Sequence, residues 1–262
     1  MKLSNMDFIN EFAQIELPAS RKFHISTNIN NLKDFVKTPY SKWPKSWKET
    51  HYKTYIRFPS IELSVPEYKK WDLQNILMKR QSTRKFNSKP ISEKDLSDLL
   101  YLSAGQRSLT TSTNTTKRMY PSAGARYPIE IYPFILKSSG NLNRGIYHYH
   151  PPSHSIELIR KNKFINQTWK QFSQPWMKNG AILLIFTAIF DRVEEKYGNR
   201  GYRHVMTDYG LITQNLYLVS TALGVGVCSI GGFDDNGINE ILDLNGIDES
   251  IVGAMILGNT NE

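Results

Sequence analysis

Residues 201–232 read GYRHVMTDYGLITQNLYLVSTALGVGVCSIGG, and the arrangement of the rest follows from them. Apolar side chains at Val205, Tyr209, Ile212, Leu216, Val219 and Leu223 recur in steps of four and three, and Leu211, Leu218 and Ala222 form a second row. A helix that is apolar on more than one face is an interior helix, so the other elements are expected to pack around it. Only a narrow polar seam remains, at Thr207, Gln214 and Thr221. Gly224 stands where a left-handed residue would end the helix. Residues 225–230 then read as a short apolar strand, with Ile230, Gly231 and Gly232 at its carboxyl end. Paired glycines there make a simple turn, or leave bare backbone N–H groups open to a flat ligand.

Working outward, residues 182–190 are apolar on both faces and read as a central strand. Asp191 is placed to cap a short helix, with Glu194 at its third position. Residues 129–136 read as a strand that Pro133 assigns to an edge, and 145–150 as a second strand after the turn at 140–145. A polar helix is expected at 235–242 and a last strand at 251–257. Upstream, Ser92 and Asp95 form a capping box with Ile91 and Leu96 as a staple. That helix would bury Leu96, Leu99 and Leu100 and end at Gly105. Asp72 caps a further helix carrying Leu73, Ile76 and Leu77 that ends near Arg80. Residues 106–118, rich in Ser, Thr and Asn, read as a mobile loop. Residues 1–70 hold prolines at 18, 39, 44, 59 and 66 and no sustained period, an irregular arm draped on a body of residues 71–262. Strands and helices interleave around one core, which makes the fold α+β.

The chain has 262 residues, 40% hydrophobic and 12% aromatic, enough for a packed core and against disorder. A net charge of +9 suits an anionic ligand, an acidic peptide or nucleic acid. Lys42, Trp43, Lys45, Trp47, Lys48 and Lys53 interleave base and aromatic, but no recognition motif accompanies them. They read as tryptophans covering the body with lysines in solvent, and no nucleic-acid partner is expected. The single cysteine, Cys228, excludes an internal disulfide and a cysteine-based zinc site. Early Asp7 and Glu11 argue against a secretory signal, and the apolar run 181–190 is too short to span a bilayer. A soluble cytoplasmic protein with no membrane partner is expected.

Arg80, Ser82 and Arg84 alternate directly after a helix. In an extended segment they would turn to one side as a phosphate site, although a basic surface turn uses the same residues. Pro121, Ser122, Ala123 and Gly124 either admit a flat ring against the backbone or form an ordinary proline turn. His148, His150 and His154 lack a carboxylate or cysteine at ligand spacing, so no metal is expected. Cys228 reads as a small buried side chain. Neither a P-loop nor G-x-G-x-x-G occurs, which leaves flavin mononucleotide, FMN, among the nucleotide cofactors.

The runs Arg80-Gln81-Ser82-Thr83-Arg84-Lys85-Phe86, Pro121-Ser122-Ala123-Gly124-Ala125-Arg126-Tyr127-Pro128-Ile129-Glu130-Ile131-Tyr132 and Gly145-Ile146-Tyr147-His148-Tyr149 together resemble the nitroreductase superfamily. The run Lys196-Tyr197-Gly198-Asn199-Arg200-Gly201-Tyr202-Arg203 brings the likeness closer to the streptolysin S-type dehydrogenases, which form thiazoles and oxazoles in modified peptides. The likeness spans residues 71–258 in the family's order. It implies an FMN fold with a central mixed sheet flanked by helices, as a homodimer with flavins at the interface. By that likeness Arg80, Ser82 and Arg84 hold the phosphate and ribityl chain. Pro121, Ser122, Ala123 and Gly124 line the ring, and Ile230, Gly231 and Gly232 offer backbone near its reactive nitrogen. Lys196 and Tyr197 match the pair associated with dehydrogenation. A lysine base must be neutral, which calls for burial or for nearby charge such as Arg192, Arg200 or Arg203. Two departures stand out: Gln81 replaces a common arginine, and no cation follows the last strand in residues 258–261.

The implied activity is azoline oxidation on a precursor peptide, docked with a cyclodehydratase partner. Two alternatives are a general NAD(P)H-dependent flavin reductase of nitro, quinone or dehydroamino-acid substrates, and a non-catalytic peptide-binding subunit.

Overall fold

Alternation along two strands sets the layers. In β5 (Ile182–Ile189), Ile182, Leu184, Phe186 and Ala188 face one core while Leu183 and Ile185 face another. In β2 (Ile129–Ile135), Ile129, Ile131 and Ile135 share the first face and Tyr132 and Phe134 the second. Side chains at alternate strand positions point to opposite faces, so a sheet with both sets apolar is covered on both sides. The structure, a computed structural model, describes residues 17–29, 39–67, 69–107 and 117–261. The sequence-read loop at 106–118 lies mostly outside these residues.

The other strands are β1 (Ser60–Glu62), β3 (Gly145–His150), β4 (Ser155–Lys161), β6 (Val225–Ile230) and β7 (Glu249–Asn259). Among the described residues they form one sheet of order β1-β4-β3-β2-β5-β7-β6. The expected α+β fold is present, but the sheet is antiparallel at every pairing rather than mixed. The reason is that β7 inserts between β5 and β6, so two strands running the same way never touch.

One face is covered by α3 (Glu93–Ala104) and α5 (Gly201–Leu223), which contribute Leu96, Leu99, Leu100, Val205, Ile212 and Leu216 to the first core. Burying each such side chain contributes roughly 1.5–3 kcal/mol. The other face is covered in part by α6 (Asp235–Leu242) through Ile238, Ile241 and Leu242, so this helix is amphipathic rather than polar. Helix α5 ends at Gly224 with φ +71°, as expected. It is not buried all round: Leu211, Leu218 and Ala222 are half-buried in the single chain.

Ser92 Oγ accepts from Asp95 N at 3.0 Å, the N-cap half of the expected box, and donates to the Asp95 carboxylate at 2.6 Å. Asp72 likewise accepts from Asn75 N to start α2 (Leu73–Lys79). Asp191 does not cap: it is the first residue of α4 (Asp191–Tyr197), whose cap position, Phe190, has helical backbone angles and no side-chain bond. Strand β2 is not an edge either. Its pairing to β3 begins at Phe134, one residue past Pro133, so no ladder donor is needed there on that side.

The arm contributes an eight-residue helix, α1 (Ala19–Ser26), and the edge strand β1. Arg203 of α5 holds it by donating to Thr27 Oγ1 at 2.8 Å and His24 O at 2.6 Å. Trp43 and Trp47 are half-buried, as expected of cover, but Lys53 is not in solvent. It pairs with Glu249 at 2.6 Å. His148 is buried between Glu130 at 2.7 Å and Glu157 at 2.9 Å, and Arg192 reaches Glu130 from the other side at 2.5 Å. No described group of His, Cys, Asp and Glu is placed to hold a metal ion, and no described helix is long and apolar enough to cross a membrane. Cys228 is buried and free.

Candidate active site

The first part of the site is a strip, residues 80–86, laid along β6. Thr83 N donates to Val227 O at 2.8 Å. Gly226 permits the approach, since a Cβ there would stand 2.8 Å from Thr83 Cγ2. Ser82 Oγ lies 3.1 Å from Tyr217 Oη, and that same hydroxyl accepts Ser229 N at 2.9 Å. The Arg80 guanidinium sits over the Tyr217 ring at 5.3 Å. Tyr217 of α5 therefore ties the strip to the end of β6. A cleft of about 510 Å³ opens beside it, lined by Ser82, Arg84, Lys79 and Lys85, and also by Thr260 and Asn261. The segment after the last strand thus reaches this cleft with polar groups where no cation stands. Gln81 and Thr83 line it too, so both sides of the strip are used, while Arg80 lies over the Tyr217 ring beside it.

At the end of β6, Ile230 is buried and Gly231 is open, with no atom within 4 Å of where a Cβ would stand. At Gly232 a Cβ would meet Gln174 Nε2 at 2.5 Å and Ser173 Oγ at 2.8 Å, side-chain ends that would have to move aside.

The second part gathers elsewhere. After Pro121, residues Ala123–Ala125 make one turn with Gly124 at φ +61°, and Ala125 and Tyr127 also hold positive φ at 54° and 48°. Left-handed angles at two non-glycine residues store local strain, which the surrounding bonds must over-determine. Ser122 supplies one: its Oγ accepts Tyr127 N at 2.9 Å. Asp208 is 2% exposed on α5, and its Oδ2 has no partner among the described residues. Burial pushes its carboxyl up to about 7, against Ser122 and Arg118.

Lys196 and Tyr197, at the end of α4, converge on this turn. A Cβ on Gly124 would stand 2.7 Å from Tyr197 Oη and 3.2 Å from Lys196 Nζ. Burial, and then the nearby Arg126 guanidinium, lower the Lys196 pKa; burial raises that of Tyr197 against Arg126. The cation acting on Lys196 is thus Arg126 rather than Arg192, Arg200 or Arg203. Arg192 is taken by Glu130, and Arg200 and Arg203 by Thr27. Gly124→Ala is expected to cost about 1–2 kcal/mol from the left-handed backbone alone and to push Lys196 and Tyr197 apart. An unchanged thermal midpoint would show that the turn is looser than this.

Within one chain the strip cleft and the Pro121–Gly124 turn remain separate. The turn borders a different cleft, of about 420 Å³, lined by Arg118, Tyr120, Pro121 and Ser122. Asp208 and Arg126 were not singled out from sequence. Asp208 sits beside the polar seam of α5, and Arg126 follows Gly124 by two positions.

The nitroreductase family's sequence model matches residues 77–259. A nitroreductase-family protein of Methanocaldococcus jannaschii is 35% identical over 71% of this chain and 91% of its own length. The microcin B17-processing protein McbC of Escherichia coli is 27% identical over 55% of this chain, an alignment that spans 53% of McbC. Among solved structures, a chain of the E. coli microcin synthetase McbBCD complex with truncated pro-MccB17 bound superposes with a TM-score of 0.61 at 21% identity. That superposition covers 100% of this chain and 99% of the other, and at this identity it speaks for the fold. A strip, a turn and a Lys-Tyr pair set on this sheet, together with a family match over residues 77–259, place the protein: it belongs to the nitroreductase family of oxidoreductases.

Proposed function

We propose that this chain is an FMN-dependent dehydrogenase that oxidises azoline rings of a precursor peptide to thiazoles or oxazoles. The observation that carries the reading is the convergence of Lys196 and Tyr197 on Gly124. Aromatising an azoline removes a proton from the ring's α carbon and a hydride from its β carbon. FMN, when bound, would accept the hydride. The chain's part is the proton, and a lysine whose pKa is lowered by burial and Arg126 suits its removal. Tyr197 Oη, beside it, is the second group able to hold or pass that proton. The similarity to McbC, named for microcin processing, favours a peptide substrate. The microcin synthetase McbBCD complex, solved with truncated pro-MccB17 bound, is in keeping with a synthetase complex as partner, which on this reading would hold the cyclodehydratase.

The residues present fit the cofactor. Ser82, Arg84, Lys79 and Lys85 line a cleft able to take a phosphate, and Gly231 leaves the end of β6 open to a flat ring. The separation of that cleft from the Pro121–Gly124 turn supports a homodimer in which one chain's turn meets the other's cleft. Leu73, Leu77 and Met78 on α2, 60%, 51% and 82% exposed beside Arg80, supply apolar surface for such a contact. Arg84→Gln is expected to weaken FMN binding about 10- to 100-fold, read by flavin fluorescence titration. Unaltered affinity would move the phosphate away from the strip.

A second reading, a general NAD(P)H-dependent reductase, is favoured by the M. jannaschii relative, whose name is that of a nitroreductase. Rates with azoline peptides and with nitro compounds, measured on one FMN-loaded preparation, separate the two.

A further inference from the structure

Trp43 and Trp47 do more than cover the body. Lys196 Nζ lies 3.6 Å from the centroid of the Trp43 ring and 5.7 Å from that of Trp47. The two indoles meet edge to face, 6.0 Å apart at 72°. On its other side the amine meets bare backbone, since a Cβ on Gly124 would stand 3.2 Å away. The segment bearing the indoles is fastened to the site by four hydrogen bonds. Ser46 Oγ donates to Glu195 Oε1 at 2.6 Å, the Arg126 guanidinium donates to Ser46 O and Glu49 O, and Thr50 Oγ1 donates to Ala125 O at 3.4 Å. An aromatic face attracts an ammonium and not a neutral amine. A ring this close therefore acts on charge as well as on position.

We propose that Trp43, backed by Trp47, is the positioning residue of Lys196, holding its Nζ against the Gly124 backbone and favouring the protonated amine. The idea rests on Lys196 as the proton-handling group, but its test does not need azoline oxidation. The titratable and charged groups around the amine are Arg126 from the turn, Glu195 and Tyr197 from its own helix, and His204 of α5, 5.0 Å from the Tyr197 ring, while the arm's Glu49 meets Arg126 only through its main-chain carbonyl. Burial and Arg126 drive Lys196 towards the neutral form, and Trp43 opposes both. The indole is thus a counterweight that limits how far burial and Arg126 lower the Lys196 pKa.

The test is competitive acetylation of the full chain with trace acetic anhydride across pH, Lys196 being quantified by peptide mass spectrometry. Trp43→Leu and Trp43→Phe retain an apolar side chain, but only Phe retains a π face. In Trp43→Leu the titration midpoint of Lys196 is expected to fall, with labelling near neutral pH rising about three- to tenfold, while Trp43→Phe stays near the parent. Trp43→Met serves as a second ring-free variant should Leu fail to fold. Ring-free and Phe variants titrating together, or a midpoint that rises when the ring is lost, would overturn the proposal. A failure of the azoline assay would leave this measurement untouched.

Discussion

Replacing Lys196 with methionine is expected to slow azoline oxidation by about 10²- to 10⁴-fold, the usual contribution of a positioned acid or base. Methionine keeps an apolar stem against the Trp43 ring and removes only the titrating nitrogen. Flavin content should therefore hold, because the strip residues Ser82 and Arg84 line a cleft that Lys196 does not touch. Reduction of nitro compounds should hold as well, since hydride delivery to a nitro group needs no base at this position. The pH dependence has a defined sign. Burial and Arg126 lower the Lys196 pKa from 10.5, so the rate limb that reports the neutral amine lies below the ordinary lysine range. Wild-type azoline turnover by Lys196→Met would remove the residue from the mechanism.

The second large effect is on stability. His148→Ala should cost about 3–5 kcal/mol, because it leaves Glu130 and Glu157 buried without the cation between them. Burial alone would lower the pKa of His148, but hydrogen bonds and charge from Glu130 and Glu157 outweigh it and hold it above 6.5. A raised histidine adds stability that is full below 6.5 and fades as pH climbs through the folded value. Glu130 runs the other way. Burial would raise it, but Arg192 and then His148 hold it at about 2, so its contribution is present above 4.5 and lost as pH falls towards 2. The two together place the greatest contribution between about pH 4.5 and 6.5. Denaturant melts of parent and His148→Ala across pH test this: the gap between them should narrow at both ends, and a pH-independent gap would contradict the ion-pair account.

What could be read from sequence was local. Helix α5 declared itself through the 205–223 apolar period and Gly224, and α3 through the Ser92–Asp95 box, because neighbours in sequence make those bonds. The runs that resemble the family also named the strip, the turn and the Lys-Tyr pair. Strand β4 was missed, its Ile156 and Ile159 falling on opposite faces among charged neighbours, with a register shift where β3 pairs to it. Pro133 misled because whether a missing N–H matters depends on which partner lies beside it. The packing of Trp43 on Lys196 and the bond from Arg126 to Ser46 O join distant parts of the chain, and no spacing encodes them.

The most direct measurement is to incubate the FMN-loaded protein with an azoline-bearing peptide and follow the peptide by mass spectrometry. The account predicts loss of two hydrogens per ring, slowed by about 10²-fold or more in Lys196→Met. A peptide left unchanged by enzyme that reduces nitro compounds rapidly with NADPH would contradict it.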